Sequence, residues 1–444
     1  MSLREAALSI FHASLAAGHV GSLLGRTVSL AGARLSLGPR TFDLTRIRRV
    51  LVLGAGKASG AMAQRLEEVL DDRIARGLVV VKDGYTAPTR RTRLVEAGHP
   101  IPDRRGLRAA SDLLELARDA QEGDLVVVLI SGGGSALTPA PAPPITLAEK
   151  QALTRQLLAA GASINELNAV RKHCSRLKGG QLAKAAFPAF VVSLILSDVI
   201  GDPLDVIASG PTSPDETTYA EALAILDRYQ LRNQIPVAVR DHLERGARGG
   251  IPETPKARDP IFGRVTNVVI GNNRLVVDEA QARARALGFN THLLTDALQG
   301  ESRDVARQLV SLAREIRSQG KPVAPPACLI AGGETTVTVR GRGMGGRCQE
   351  FCLASALGVE GMPDVVILAA GTDGTDGPTD AAGALADGQT VGRGKEIGRD
   401  ARASLEDNDS YHFFSALGAL VSTGPTNTNL LDLYLLLVGR LTQK

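Results

Sequence analysis

Leu125-Val-Val-Val-Leu-Ile-Ser-Gly-Gly-Gly-Ser135 sets the reading of this chain. Six consecutive apolar residues leave no alternation with polar ones, which predicts a strand buried on both faces of a parallel sheet. The glycines that follow permit positive φ and let successive backbone N–H groups approach an anion. Ser131 and Ser135 add hydroxyl donors. Ligands of α/β proteins bind at the C-terminal ends of such strands, so Ser131, Gly132, Gly133, Gly134 and Ser135 are candidate phosphate or carboxylate binders.

Upstream, Arg49-Val-Leu-Val-Leu-Gly-Ala-Gly-Lys-Ala-Ser-Gly60 predicts another strand, turn and helix start. Its glycines, Gly54, Gly56 and Gly60, are spaced one residue wider than the dinucleotide fingerprint, so Gly54 and Gly56 make only a weak nucleotide site. Lys57 opens the helix, where the helix dipole disfavours a cation unless an anion lies nearby. A lysine reaching out to solvent is the plain alternative. Strands over 77–84 and 92–98 and a helix over 104–120 separate these two turns. Between them His99 reads as a turn histidine, with acid–base chemistry as the alternative.

Downstream, the prolines of 138–145 make a stiff connector. From Ile164 to Ala186 the period is helical, with an apolar stripe of Leu167, Val170, Cys174 and Leu177. Beside it lies a polar one of Asn168, Arg171, Ser175 and Lys178. Arg171 and Lys178 are candidate clamps for an anionic substrate, equally readable as a solvated basic face. The apolar run from Phe190 predicts a second buried strand that delivers Asp198 and Asp202 to its end. Carboxylates there suit a Mg²⁺–nucleotide or a substrate hydroxyl, although Asp202-Pro203 alone reads as a turn. Residues 234–260, rich in Pro, Gly and Arg, read as a linker.

Beyond the linker the strand–helix alternation resumes. Gly343-Met-Gly-Gly-Arg-Cys-Gln-Glu350 repeats the motif of a cation, Arg347, at a helix start after glycines. The strand beginning at Asp364 ends in Gly371-Thr-Asp-Gly-Thr-Asp-Gly377, where Asp373 and Asp376 could hold a divalent cation or simply shape a turn.

A chain of 444 residues exceeds one ordinary core, and the pattern divides it into an α/β domain over 1–264, open to return segments from later in the chain, and another over 265–444. With 3% aromatic residues, no tryptophan and a net charge of +4 spread along the chain, nucleic acid is an unlikely partner by composition. No apolar run is long enough for a membrane span. Four cysteines without a CxxC pair read as free thiols of a cytoplasmic protein.

Taken in order, Gly-Ala-Gly-Lys57-Ala-Ser, Gly-His99-Pro-Ile-Pro-Asp, Ser131-Gly-Gly-Gly-Ser-Ala, Asn168-Ala-Val-Arg-Lys-His, Ser197-Asp-Val-Ile-Gly-Asp, Ser209-Gly-Pro-Thr, Gly-Gly-Arg347-Cys-Gln-Glu, Gly371-Thr-Asp-Gly-Thr-Asp-Gly and Thr423-Gly-Pro-Thr-Asn-Thr-Asn resemble the glycerate 2-kinase family over nearly the whole chain. The resemblance implies two Rossmann-like α/β domains with mainly parallel sheets, an active site in a cleft between them, and a C-terminal MOFRL region over about 327–439. It implies Mg²⁺- and ATP-dependent phosphorylation of D-glycerate to 2-phosphoglycerate, with Lys57 and Arg347 as functional cations. Asp198 is the candidate base or metal ligand, and a homodimer is a candidate assembly. Cys348 departs from the family's usual asparagine, and Cys174 from its usual aliphatic residue. Some relatives carry the label hydroxypyruvate reductase, so NAD(P)H-dependent reduction of a 2-keto acid is the alternative activity.

Overall fold

The computed structural model describes residues 1–440 and resolves into two compact units, Leu23–Ile270 and Met1–Ser22 with Gly271 onward. The expected division at 264/265 lies close to the observed crossing. It misassigns the N-terminal helix Leu3–Gly18, which Ser2 and Glu5 cap reciprocally. That helix buries Ala6, Ala7, Ile10 and Phe11, and its Ser14 hydroxyl donates to Val276 O at 3.0 Å on the helix Asn273–Ala286. An amphipathic helix joins whichever apolar face it can cover, and the local pattern does not say which.

In the first unit a six-stranded sheet runs in the order Thr92–Ala97, Ile74–Lys82, Val50–Ala55, Leu125–Ile130, Phe190–Leu196 and Val265–Gly271. The first five pair in parallel. Every residue of Leu125–Ile130 is buried, as its unbroken apolar run requires. Val126, Val128 and Ile130 pack on one face with Ala109, Leu113 and Ala117 of the helix Arg104–Arg118. From Val50–Ala55 the chain winds outward in one direction, and from Leu125–Ile130 in the other. The switch point therefore falls between these two adjacent strands, and their C-terminal ends are the two glycine turns read from the sequence.

Two parts of this unit were not anticipated. Val28–Ala31, Arg34–Leu37 and Arg40–Asp43 form a small antiparallel sheet. The supposed linker contains the helix Val237–Ala247, whose Val239 and Leu243 join Leu153, Leu157, Leu167, Val170 and Leu226 in a separate helical core. Its Arg and Gly content hides two apolar residues at i, i+4 that suffice for one buried face.

The second unit departs from the expected parallel pattern. Its sheet order is Asn290–Leu298, Ala327–Gly333, Asp432–Val438, Val365–Gly371, Gly383–Asp387 and Leu420–Val421. Only the first pair is parallel. The last strand, Asp432–Val438, is inserted antiparallel between two others and is buried throughout. A strand buried on both faces is uniformly apolar in either direction, so its sequence is silent on orientation. The segment after Gly333 makes a single isolated bridge among the described residues, Glu301 to Thr336.

Candidate functional site

The two turns of the first unit are built against each other. Lys57 N donates to Gly132 O at 2.9 Å and Ala58 N to Ser131 Oγ at 3.0 Å, while Ser59 Oγ lies 3.0 Å from Ser131 Oγ. The Ser131 hydroxyl therefore ties one turn to the other, and is 2% exposed. This corrects its expected role as a ligand donor. Gly54 and Gly56 are likewise explained by packing: a Cβ on Gly56 would lie 2.1 Å from Ser131 Oγ, and one on Gly54 2.5 Å from Leu129 O. Both positions need glycine because another backbone occupies the space, which removes them from the nucleotide-binding set.

Gly132 and Gly133 collect the chemistry. A Cβ on Gly132 would sit 2.0 Å from Asp198 Oδ2. One on Gly133, whose φ is +86°, would sit 3.0 Å from His99 Nε2 and 3.5 Å from Lys57 Cγ. The carboxylate, the imidazole and the lysine stem thus converge on one backbone turn, which is partly exposed at Gly133. His99 is half-buried; burial, then the charges of Lys57 and Lys82, hold its pKa down to about 4, so the ring is neutral near pH 7. Asp202 follows on the same loop with φ +55°.

Ser135 belongs to a second group. Arg171 Nη2 donates to its hydroxyl at 2.5 Å and Lys178 Nζ at 2.6 Å, with a further bond from Lys178 Nζ to Ser135 O at 2.9 Å. With both lone pairs taken, the hydroxyl donates to Ser209 Oγ at 2.9 Å, and Ser209 in turn donates to Asn168 Oδ1 at 3.0 Å. Arg171 and Lys178 were expected on one face of a continuous helix. The helix stops at His173 and Lys178 follows in a turn, yet both side chains reach the same hydroxyl. The sequence reading did not place Ser209 or Lys150 here. The mark of Lys150 is its position on the stripe with Leu153 and Leu157, where the helix Leu147–Ala159 should carry an apolar residue.

In the second unit Arg347 opens the helix Arg347–Gly358 as expected, but it is not free. Its Nε and Nη2 grip the two oxygens of Asp432 at 2.5 and 2.9 Å, and its Nη1 donates to Glu334 Oε1 at 2.5 Å. Asp432, 1% exposed, also accepts from the Tyr434 hydroxyl at 3.1 Å. Burial would lower the Arg347 pKa; the Asp432 carboxylate more than offsets it, and the net shift is upward.

Asp376, expected as a metal ligand, accepts Cys348 N at 3.1 Å on one oxygen and Gln349 N at 2.8 Å on the other. It anchors the first turn of the Arg347 helix, and its oxygens are consumed there. Asp373 accepts from both N and Oγ1 of Thr375, the signature of a side-chain-closed turn. Among the described residues no cluster of three or more His, Cys, Asp or Glu is arranged for a metal ion.

A doubly wound parallel sheet with a lysine and a carboxylate beside a glycine turn at its switch point is the α/β architecture that places ligands at the C-terminal ends of its strands. Comparison with known proteins narrows the class. Residues 6–244 match the family described as a domain of unknown function, DUF4147, and residues 327–432 the MOFRL family. A relative from Thermotoga maritima, D-glycerate 2-kinase, is 43% identical over 399 residues, 90% of this chain and 93% of its own. A putative hydroxypyruvate reductase of Agrobacterium vitis is 44% identical over 88% of this chain and its whole length. The crystal structure of glycerate kinase from Thermotoga maritima matches with a TM-score of 0.88 at 41% identity, covering 98% of this chain and 99% of that one. The chain belongs to the glycerate 2-kinase family.

Proposed function

We propose that this enzyme transfers the γ-phosphoryl group of ATP to the 2-hydroxyl of D-glycerate. The observation that carries the reading is the convergence of Lys57, Asp198 and His99 on Gly132 and Gly133 in a chain so similar to glycerate kinases. Phosphoryl transfer asks the protein mainly for positioning and charge neutralisation. The backbone of Gly132 and Gly133 supplies donors for phosphate oxygens, whereas the Gly134 N–H, expected to join them, donates to Ser131 O at 3.3 Å, and Lys57 neutralises charge that builds on the transferring group. Asp198, beside the turn, takes the proton of the substrate hydroxyl or holds metal. Arg347, clamped by Asp432, presents a fixed guanidinium whose role is charge stabilisation.

Magnesium fits this donor set. Mg²⁺ is commonly held by one or two carboxylates together with substrate phosphates, and Asp198 and Asp202 on one loop meet that requirement without a larger cluster. When bound it would neutralise phosphate charge. The four cysteines are buried free thiols, in keeping with the cytoplasm as the place of reaction.

The reductase name borne by one relative supplies the second reading. A pair of assays decides. We expect ADP to form only with both D-glycerate and Mg²⁺ present, and 2-phosphoglycerate as product by phosphorus NMR. Oxidation of NAD(P)H by hydroxypyruvate without any ADP formation would sink the kinase. Asp198→Asn then divides its two roles: recovery at raised Mg²⁺ marks a ligand, and loss of kcat at every Mg²⁺ concentration marks the base.

A further inference from the structure

Among the described residues, three cations of the first unit stand together without an acidic partner. Lys150 is 3% exposed on the apolar stripe of its helix, and its Nζ has no hydrogen-bond partner. Arg171 Nε is buried and equally unpartnered. Lys178, 0% exposed, meets only the hydroxyl and carbonyl of Ser135. The charges acting on Lys150 are those of Arg171 and the Cys174 thiol; those acting on Lys178 are Arg171 and Lys150; burial alone shifts Arg171. No carboxylate offsets any of them.

Lys172 is the internal control. It is next to Arg171 in sequence and as deeply buried as Lys150 and Lys178, and the fold supplies it with Asp205 at 3.0 Å and Asp215 at 3.4 Å. A structural buried lysine in this protein thus has its counter-ions. Uncompensated buried charges that also repel one another are costly, and clusters of this kind occur where a ligand completes them.

We propose that Arg171 and Lys178 on the Ser135 hydroxyl, with Lys150 beside them, form the pocket that takes the carboxylate of the 2-hydroxy acid, with Lys150 as a specificity-determining residue. The inference rests on the kinase reading and gives its acid substrate a seat. The unused donors suit a carboxylate: three on Lys150, one remaining on Lys178, and the Nε edge of the planar Arg171 fork. Ser135 also lies in the same turn as Gly132 and Gly133. A carboxylate held at Ser135 therefore leaves the adjoining hydroxyl near the residues proposed to act on it.

Carboxylate binding at this pocket also moves a proton. Burial, then the charge of Arg171, holds the Lys150 pKa down to about 7, with the Cys174 thiol opposing. Burial, then the charges of Arg171 and Lys150, hold Lys178 well below its ordinary range too, so it is a second group that can take up a proton, and Leu153 and Leu157 with Val239 and Leu243 close the apolar side. An arriving carboxylate favours the ammonium, so above pH 7 binding takes up a proton.

The test is calorimetric titration of D-glycerate, without nucleotide, into the native enzyme and Lys150→Met at pH 8, in two buffers of different ionisation enthalpy. We expect proton uptake by the native enzyme, its reduction in Lys150→Met, and affinity about tenfold or more weaker in that variant. In turnover the same variant should raise KM for glycerate and leave KM for ATP unchanged. Native glycerate affinity in folded Lys150→Met would overturn the proposal, as would an effect confined to KM for ATP, which would assign the pocket to phosphate. Should Lys150→Met not fold, Arg171→Lys carries the same measurements, since it keeps the charge and loses the fork. Native enzyme that binds glycerate in this way yet forms no ADP would refute the kinase and keep the pocket. Normal ADP formation with an unaffected Lys150→Met would refute the pocket alone.

Discussion

Lys57 and Arg347 occupy the same place in their motifs, a cation after glycines at the start of a helix, and the two units treat them oppositely. Among the described residues Lys57 has no ion pair, and its stem lies beside Gly133 and His99. Arg347 is held on three of its nitrogens by Asp432 and Glu334. The aspartates pressed on the two glycine turns differ in the same sense. Asp198 is only half-buried beside Gly132, whereas Asp376, against Gly346, is buried and occupied by the backbone it anchors. The same local motif can therefore hold its cation without an ion pair or fix it in one. What decides is whether a carboxylate arrives from a distant strand.

The largest effect should follow removal of the locked cation. Arg347→Ala strands the buried Asp432 carboxylate, and we expect a loss of stability of about 3 kcal/mol together with loss of activity, the figure held at the lower end for broken buried pairs because Arg347 is itself a third exposed. Adding Asp432→Asn should recover much of the stability and none of the activity. Denaturant melts of the single and double variants check this, and equal melting midpoints for Arg347→Ala and the native enzyme would break the comparison.

Lys57→Ala should show the converse. We expect an unchanged melting midpoint and a kcat lower by about a hundredfold or more, the scale for removing a preorganised charge from a phosphoryl-transfer site. A native kcat in this variant would make Lys57 a surface residue.

A smaller effect tests the frame around the first turn. Burial pushes the Asp124 carboxyl up, but Arg48 and Arg49 more than offset it and hold its pKa at about 2. Asp124 precedes the central strand, with Arg48 bonded to its two oxygens at 2.8 and 2.7 Å. The folded pKa lies below the unfolded one, so this stabilisation is present above about pH 4 and is lost as pH falls through about 2. It amounts to about 2 kcal/mol by linkage. Asp124→Asn should lose that amount at pH 7 and show a shallower acid limb in stability against pH.

The smallest effect is a shift in one titration. Lys57 contributes to holding His99 down, after burial, so Lys57→Ala should move the His99 titration to higher pH without restoring it to the ordinary value. Proton NMR of the imidazole reads this directly, and an unmoved His99 would separate the two side chains that the turn brings together.

By itself the sequence determined the elements whose residues are dictated locally. The apolar run of Leu125–Ile130 had to be a doubly buried strand, and the glycines after it a turn open to a ligand. Arg347 had to open a helix and Asp198 to stand just past a strand end, while Lys57, expected to open its helix, lies in the turn before the Ala58 N-cap of Ser59–Leu70. Tertiary structure alone decided what faces those residues. Gly54 and Gly56 serve backbone contact, Ser131 joins two turns, Asp376 secures a helix, and Asp432 neutralises an arginine 85 residues away. Only the fold gathered Arg171 and Lys178 on Ser135 with Lys150 beside them, and only the fold set Asp432–Val438 antiparallel between its neighbours. The reason is that periodicity and turn chemistry act over a few residues, while charge compensation, strand direction and close backbone approach depend on contacts between segments far apart in the chain.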